Sequence, residues 1–169
     1  MRIDESFRSP QRIESSHQVD GFNSGVPSLD IWLKRRACSN ESAGASRTYV
    51  SCIDETVAGY YAISAGAVLR DSVSGHIARN MPDPIPVILI GRLAVANASQ
   101  GKGLGRSLLI DALRRCMVAG EIIGVRAVTV HAISEPAQKF YEQYGFVEAP
   151  GIVRTLSLIM QDVRRLLDK

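Results

Sequence analysis

Gln100-Gly101-Lys102-Gly103-Leu104-Gly105 is a glycine-rich stretch that follows the β-prone run Ile85–Val95 and precedes a run of helical spacing. A strand that passes through glycines into a helix forms a cradle for phosphate, because backbone N–H groups point inward and the helix N-terminus carries partial positive charge. Lys102 and Arg106 add formal charge. The alternative is a tight strand-to-helix turn that binds no ligand.

Two common nucleotide sites are excluded by spacing. A P-loop requires Gly-Lys-Ser/Thr, which does not occur in the chain. A dinucleotide fingerprint requires GxGxxG, but Arg106 stands in the last position, and no acidic residue ends the next strand about 20 residues later. The pattern therefore predicts a phosphate-bearing ligand of another class.

Strands and helices alternate around this stretch in the apolar pattern, which predicts one mixed α/β domain over residues 1–169. The expected strands cover 12–14, 48–53, 57–63, 85–95, 125–132 and 152–160, and the expected helices 27–33, 104–119 and 135–144. Gly120 is expected to end the second helix. Residues 39–46 and the proline-rich 70–86 are expected to be loops, the latter with a weak helix. Residues 1–9 are expected to be mobile, and 161–169 to form a tail that can be helical.

Composition places the chain among soluble proteins of a reducing compartment. Of 169 residues, 46% are hydrophobic and 22% charged, and no apolar run reaches the roughly 18 residues that cross a bilayer. No secretory signal opens the sequence, so we expect a cytoplasmic protein without membrane association. Three cysteines without a CxxC argue against a disulfide framework or a metal site. The net charge of +3 permits an RNA partner without requiring one.

Two motifs resemble the GNAT N-acetyltransferases. Gln100–Gly105 matches the family signature [Q/R]xxGxG/A, and the pattern Axx[FL]YxxxGF is matched by Ala137, Phe140, Tyr141, Gly145 and Phe146. The resemblance extends from about Arg12 to Met160. It implies an α/β (α+β) fold, in which helices flank a mixed central sheet and two neighbouring parallel strands splay apart.

The resemblance also implies acetyl-coenzyme A as the acetyl donor. Amides of the glycine loop would hold its pyrophosphate, and the backbone of Leu93–Val95 would pair with its pantetheine arm. The expected cofactor-binding residues are Leu93, Ala94, Val95, Gln100, Gly101, Lys102, Gly103, Leu104, Gly105, Arg106 and Phe140.

Acetyl transfer needs an acid for the leaving thiolate, and the resemblance assigns that role to Tyr141. A core aromatic residue is the alternative for this position, and Tyr144 is a second candidate for the acid. No carboxylate lies in Ile85–Val95, where many relatives place a general base. His131 is a candidate base, although a lone histidine that closes an apolar strand is more often structural.

The missing carboxylate favours an acceptor amine that is already neutral. A lysine side chain has a pKa near about 10.4, so only about one in 10³ is deprotonated at neutral pH. An α-amine, at about 7.7–8.0, is roughly a tenth free, and the ester-linked α-amine of aminoacyl-tRNA should have a lower pKa still.

Three stretches resemble a narrower group, the toxins of bacterial toxin–antitoxin pairs that acetylate aminoacyl-tRNA. They are Val19–Phe22 with Leu29–Leu33, Gly44–Val50 and Gly91–Val95. This resemblance implies acetylation of the α-amino group of aminoacyl-tRNA and a block of translation. It also implies a ribbon–helix–helix antitoxin, operator DNA bound only through the antitoxin complex, and a homodimer.

Basic residues offer a surface for tRNA phosphates, with salt-dependent binding. The candidates are Lys34, Arg35, Arg36, Arg47, Arg79 and Arg92, and the alternative for each is a solvated surface charge. Two other functions stay open: a GNAT enzyme for a small-molecule, polyamine or protein N-terminal amine, and a non-catalytic sensor or DNA-binding subunit.

Overall fold

One mixed sheet of seven strands organises residues 6–169, the part of the chain that this computed structural model describes. The strands are β1 (Gln11–Arg12), β2 (Arg47–Ile53), β3 (Thr56–Val68), β4 (Ile85–Val95), β5 (Ala127–His131), β6 (Val147–Glu148) and β7 (Thr155–Ile159). Their order in the sheet is β1-β2-β3-β4-β5-β7-β6. β4 and β5 pair in parallel, whereas β1–β2, β2–β3, β5–β7 and β6–β7 are antiparallel. The predicted fold class is confirmed.

Six helices accompany the sheet within the same residues: α1 (Pro27–Arg35), α2 (Ala37–Ala43), α3 (Gly75–Ala78), α4 (Leu104–Ile122), α5 (Glu135–Glu142) and α6 (Met160–Leu167). Pro27 begins α1, where its missing N–H would have no helical partner anyway. Ser134 caps α5 by accepting a hydrogen bond from Ala137 N at 3.2 Å. None of the described helices combines the length and apolar character needed to cross a bilayer.

Contacts divide the chain into two compact units. The first comprises residues up to 64 together with 91–112, and the second comprises 65–90 together with 113–169. In the first unit, the predicted helix over 27–33 is α1, and its buried face carries Leu29, Trp32 and Leu33. These side chains join a buried cluster with Val50 and Tyr60. Burial of each large apolar side chain contributes about 1.5–3 kcal/mol.

The second unit buries Ile77, Ile85, Val87, Ala127 and Ile159 in its own cluster. Ile77 comes from α3, within the proline-rich segment that was expected to be mostly loop. Arg126 Nε donates to the carbonyl oxygen of Ile77 at 2.9 Å, which fixes this short helix beside β5.

Several boundary predictions are wrong. β1 is Gln11–Arg12 and not 12–14, and the last predicted strand, 152–160, is confined to Thr155–Ile159 because Met160 begins α6. Residues 39–46 are not a polar loop, because α2 occupies Ala37–Ala43 and ends at Gly44, whose φ of 76° is left-handed. There Ala45 N donates to Asn40 O at 2.9 Å, a common way to close a helix. Gly120 does not end α4, which continues to Ile122. A Cβ at Gly120 would lie 3.2 Å from Met160 Cε, so this glycine permits close packing.

The prediction of a mobile segment over residues 1–9 falls partly on 1–5, which lie outside the described residues. For residues 6–9 it is wrong. Phe7 is buried, Arg8 N donates to Cys52 O at 2.8 Å, and Ser51 Oγ donates to Arg8 O at 2.6 Å. The segment is therefore held against β2. At the other end, α6 covers most of the expected tail.

Gly59 of β3 sets the position of the start of α4. A Cβ at Gly59 would lie 2.8 Å from Leu108 Cδ1 and 3.0 Å from Leu104 Cδ2. It would also lie 3.2 Å from the carbonyl oxygen of Ala94 on β4. Only a residue without a side chain lets the helix approach the sheet this closely.

We predict that Gly59→Ala lowers the free energy of unfolding by about 1–3 kcal/mol, because the added methyl group overpacks this contact. Denaturant unfolding followed by circular dichroism measures the change. Gly21→Ala is the matched control, since a Cβ at Gly21 meets nothing within 4 Å. Equal stabilities for the two variants would contradict the assignment.

Candidate active site

β4 extends beyond its parallel partner. The ladder with β5 runs from Val87↔Ala127 to Ile90↔Val130, whereas β4 itself continues to Val95. The predicted pantetheine-binding residues, Leu93, Ala94 and Val95, lie in this extension. The end of the parallel ladder at Ile90 agrees with the splay that the family resemblance implied.

The glycine loop has the backbone that a phosphate cradle requires. A 3-10 turn at Asn97–Ser99 follows β4, and Gly101 and Gly103 then adopt left-handed φ angles of 77° and 85°. These are conformations that side chains disfavour. Ser107 N donates to Gly103 O at 3.1 Å, so α4 begins directly after the loop.

Charge and anchoring complete the loop. Leu104 is buried and fixes the first turn of α4 in the core, while Lys102 and Arg106 are exposed. Gly105 lies in the first turn of the helix, and a Cβ at Gly101 would meet nothing within 4 Å. The free amides of the helix start and the two cations thus fit a pyrophosphate.

The side chain of Gln100 forms hydrogen bonds with other residues of the protein. Its Nε2 lies 3.0 Å from Val95 O, 3.1 Å from Asn97 Oδ1 and 3.2 Å from Ser24 O. The amide therefore ties the loop to the end of β4 and to the segment before α1. The sequence motif marked this position but gave no sign that its side chain acts as a brace.

Further hydrogen bonds hold the segment around Ser24, whose carbonyl oxygen accepts from Gln100. Asp30 is only 8% exposed, and its Oδ1 accepts from Ser24 N at 3.0 Å and from Ser24 Oγ at 2.6 Å. Asn97 N donates to Asn23 O at 2.7 Å. Sequence reasoning gave no role to Asn23, Ser24 and Asn97, which lie outside the motifs, and none to the side chain of Asp30, because all four act through tertiary contacts.

Tyr141 belongs to the second unit and lies on α5. It is 6% exposed and packs edge-on against Phe140 and Phe146, at ring-centroid distances of 5.2 and 5.6 Å. No residue of the described 6–169 hydrogen-bonds to its hydroxyl group. Burial raises the pKa of this phenol well above its usual value, so the group stays protonated and able to donate.

The other candidate residues, Phe140, Tyr144 and His131, have contacts of their own. Phe140 and Tyr144 are half-buried and pack edge-on, with ring centroids 5.4 Å apart. His131 is exposed at the end of β5, with Nδ1 3.0 Å from Thr155 Oγ1 on the paired strand. This hydrogen bond fits the structural alternative for His131. Within residues 6–169, no group of three or more His, Cys, Asp or Glu side chains is placed to hold a metal ion.

The predicted tRNA-binding residues differ in how their charges are held. Lys34 and Arg35 end α1, and Arg36 follows them; all three are exposed. Arg47 is engaged by Glu41, donating to its carbonyl oxygen at 2.9 Å and lying 3.7 Å from its carboxylate. The guanidinium carbon of Arg92 lies 4.5 Å from the centre of the Trp32 ring. Arg79 is exposed in the second unit, directly after α3.

Comparisons with known proteins give matches over most of the chain. A family model described as an acetyltransferase (GNAT) domain matches residues 44–148. The chain is 45% identical over 161 residues to a tRNA-acetylating toxin of Mycobacterium tuberculosis (strain H37Rv), which covers 95% of this chain and 97% of that protein.

Solved structures share the fold. AtaT complexed with acetyl-methionyl-tRNAfMet gives a TM-score of 0.87 at 23% identity, covering 95% of this chain and 98% of that one. A mutant AtaT toxin bound to the C-terminus of the antitoxin AtaR gives 0.82 at 21% identity, covering 98% and 100%.

We predict that Gln100→Met weakens acetyl-coenzyme A binding by about tenfold, because the loop loses its brace without any change of charge. Isothermal titration calorimetry measures the affinity. Gln161→Met is the control, since Gln161 is exposed on α6. An unchanged affinity in Gln100→Met would show that the brace does not hold the binding conformation.

Proposed function

Because the chain belongs to the GNAT acetyltransferase family, we propose that it transfers acetyl from acetyl-coenzyme A to the α-amino group of aminoacyl-tRNA. The product cannot accept a peptide, so translation stops and the protein acts as a toxin. The observation that carries this proposal is the 45% sequence identity to the mycobacterial tRNA-acetylating toxin, which extends over 95% of the chain. Each by itself, the glycine loop and the protonated phenol of Tyr141 have the chemistry that this reaction requires.

The proposed donor site uses the loop and the end of β4. Backbone amides of Gly101–Gly105, with Lys102 and Arg106, bind the pyrophosphate, because oriented N–H groups and a helix start favour anions. Leu93–Val95 pair with the pantetheine arm, and Phe140 supplies apolar contact. Acetyl-coenzyme A contributes the acetyl group as a thioester.

Tyr141 is the proposed acid. When the amine nitrogen bonds to the thioester carbonyl carbon, a backbone N–H near Leu93–Val95 stabilises the negative charge on oxygen. The carbon–sulfur bond then breaks, and the Tyr141 hydroxyl gives its proton to the thiolate. The proton lost by the amine passes to solvent, from which Tyr141 is reprotonated. The raised pKa of Tyr141 keeps the phenol protonated before each turnover.

The acceptor follows from what β4 lacks. Ile85–Val95 carries no carboxylate that could deprotonate an ammonium group. An α-amine is already partly neutral near pH 7, whereas a lysine side chain is almost entirely protonated. The chain's own residues therefore suit an α-amine better than a lysine.

The proposal includes partners. Lys34, Arg35, Arg36, Arg79 and Arg92 contact tRNA phosphates, while Arg47, engaged by Glu41, contributes less. The toxin works in the cytoplasm as a homodimer. A ribbon–helix–helix antitoxin inhibits it, and operator DNA is bound only through the antitoxin complex.

Incubation with labelled acetyl-coenzyme A and bulk aminoacylated tRNA tests the function. Label should appear on the aminoacyl group and be released with it by mild alkali. Spermidine and a peptide with a free N-terminus, tested in parallel, represent the alternative acceptors. Label on either of these and on no tRNA would overturn the tRNA proposal, and no transfer to any amine would favour the non-catalytic sensor.

We predict that Tyr141→Phe lowers kcat by about 10²–10⁴-fold, because it removes the acid. Its free energy of unfolding should stay within about 0.5 kcal/mol of the parent, since no described residue bonds to the lost hydroxyl. Single-turnover transfer to aminoacyl-tRNA gives the rate, and Tyr144→Phe is the matched control. Full activity in Tyr141→Phe would reject the assignment.

A further inference from the structure

Arg92 is a cation held by an aromatic ring instead of a carboxylate. Its guanidinium carbon lies 4.5 Å from the centre of the Trp32 ring, within the range of a cation–π contact. Among the described residues, Arg92 forms no ion pair. Arg47 contrasts with it, because Glu41 lies 3.7 Å away and partly neutralises its charge. The Trp32 ring therefore positions the guanidinium group of Arg92, and no carboxylate of the described residues forms an ion pair with it.

The Trp32 ring is itself fixed from within the core of the first unit. It is 9% exposed and stacks on Tyr60, with ring centroids 6.0 Å apart and planes inclined by 10°. Tyr60 is fully buried, and its hydroxyl group donates to Leu29 O at 2.7 Å. Phe22 packs edge-on against Tyr60 at 5.7 Å. A ring held in this way limits the orientations open to the guanidinium group.

The position of Arg92 in the chain points to its ligand. It directly precedes Leu93–Val95, the segment proposed to hold the thioester arm. Reacting atoms must approach to about 3–3.5 Å, so an acceptor amine has to enter close to this part of β4. On aminoacyl-tRNA, the phosphodiesters nearest to that amine are those of the 3′ end. Guanidinium groups match phosphate geometry through paired N–H donors.

We infer that Trp32 is a positioning residue, which orients Arg92 toward a phosphodiester at the 3′ end of aminoacyl-tRNA. This inference rests on the proposed function and deepens it. The pair makes the enzyme selective for aminoacyl-tRNA, because Arg92 adds no binding energy for an amine that has no neighbouring phosphate.

Steady-state kinetics on two acceptors test the pair: aminoacyl-tRNA, and the methyl ester of the same amino acid, which has no phosphate. Arg92→Gln should raise KM for aminoacyl-tRNA about tenfold, with kcat little changed, and leave kcat/KM for the ester as it was. The slope of log kcat/KM against log salt concentration should become shallower by about 0.7–0.9, as for one lost phosphate contact. Arg165→Gln, an exposed arginine of α6, should change none of these values.

A double-mutant cycle then assigns the role of Trp32. Trp32→Leu should raise KM for aminoacyl-tRNA about fivefold in the parent and less than twofold in the Arg92→Gln background. Trp32→Phe, which keeps an aromatic face, should recover most of the loss. If Trp32→Leu does not fold, as judged by thermal melting, Trp32→Phe and Arg92→Gln still decide through their salt slopes and acceptor preference.

Several outcomes would overturn the inference while the proposed function stands. They are an unchanged salt slope in Arg92→Gln, an equal loss of activity on the ester, or the same effect of Trp32→Leu in both backgrounds. A parent enzyme that acetylates the ester but no aminoacyl-tRNA would instead overturn the proposed function, and the inference with it.

Discussion

Through hydrogen bonds, the side-chain amide of Gln100 joins the end of β4 and the following 3-10 turn to the segment before α1, which is distant in sequence. These hydrogen bonds fix the position of Gln100, which directly precedes the left-handed glycines of the loop. They therefore also fix the direction in which the first amides of α4 point. Gly59 fixes the same helix from the sheet side, since only a glycine permits the approach of Leu104 and Leu108. The loop can leave its backbone amides available to a ligand because contacts on both sides of it fix its conformation.

The basic residues of the first unit fall into two physical classes. Arg12 and Arg47 both approach Glu41, at 2.6 and 3.7 Å, and join α2 to β1 and β2. One carboxylate thus partly neutralises two guanidinium groups within the fold. Arg92 has an aromatic partner, which orients the guanidinium group but leaves its charge unbalanced. The choice of partner, carboxylate or ring, thus separates a cation that supports the structure from one that can bind an anion.

Local patterns predicted the parts of the fold that depend on local physics. The run Ile85–Val95 is the observed β4, and the helices expected over 27–33 and 135–144 are present as α1 and α5. Predictions failed where tertiary contacts decide. Gly120 lies within α4, where an added Cβ would crowd Met160, and residues 6–9 are held by β2. In the candidate site, the motif marked Gln100 and the glycines, but it gave no sign that Gln100 contacts Ser24 or that Asp30 holds Ser24 in place.

The proposed chemistry is that of an enzyme with an acid and no evident base. Burial raises the pKa of Tyr141 and keeps its phenol protonated, so the group has no free phenolate with which to deprotonate the incoming amine. β4 supplies no carboxylate, and His131 is exposed and bonded to Thr155. The amine must then arrive neutral, which an ester-linked α-amine does far more readily than a lysine side chain. Because no base selects the acceptor, the choice of acceptor depends on how well it binds. In a tRNA, the phosphates are the groups that a fixed arginine recognises best.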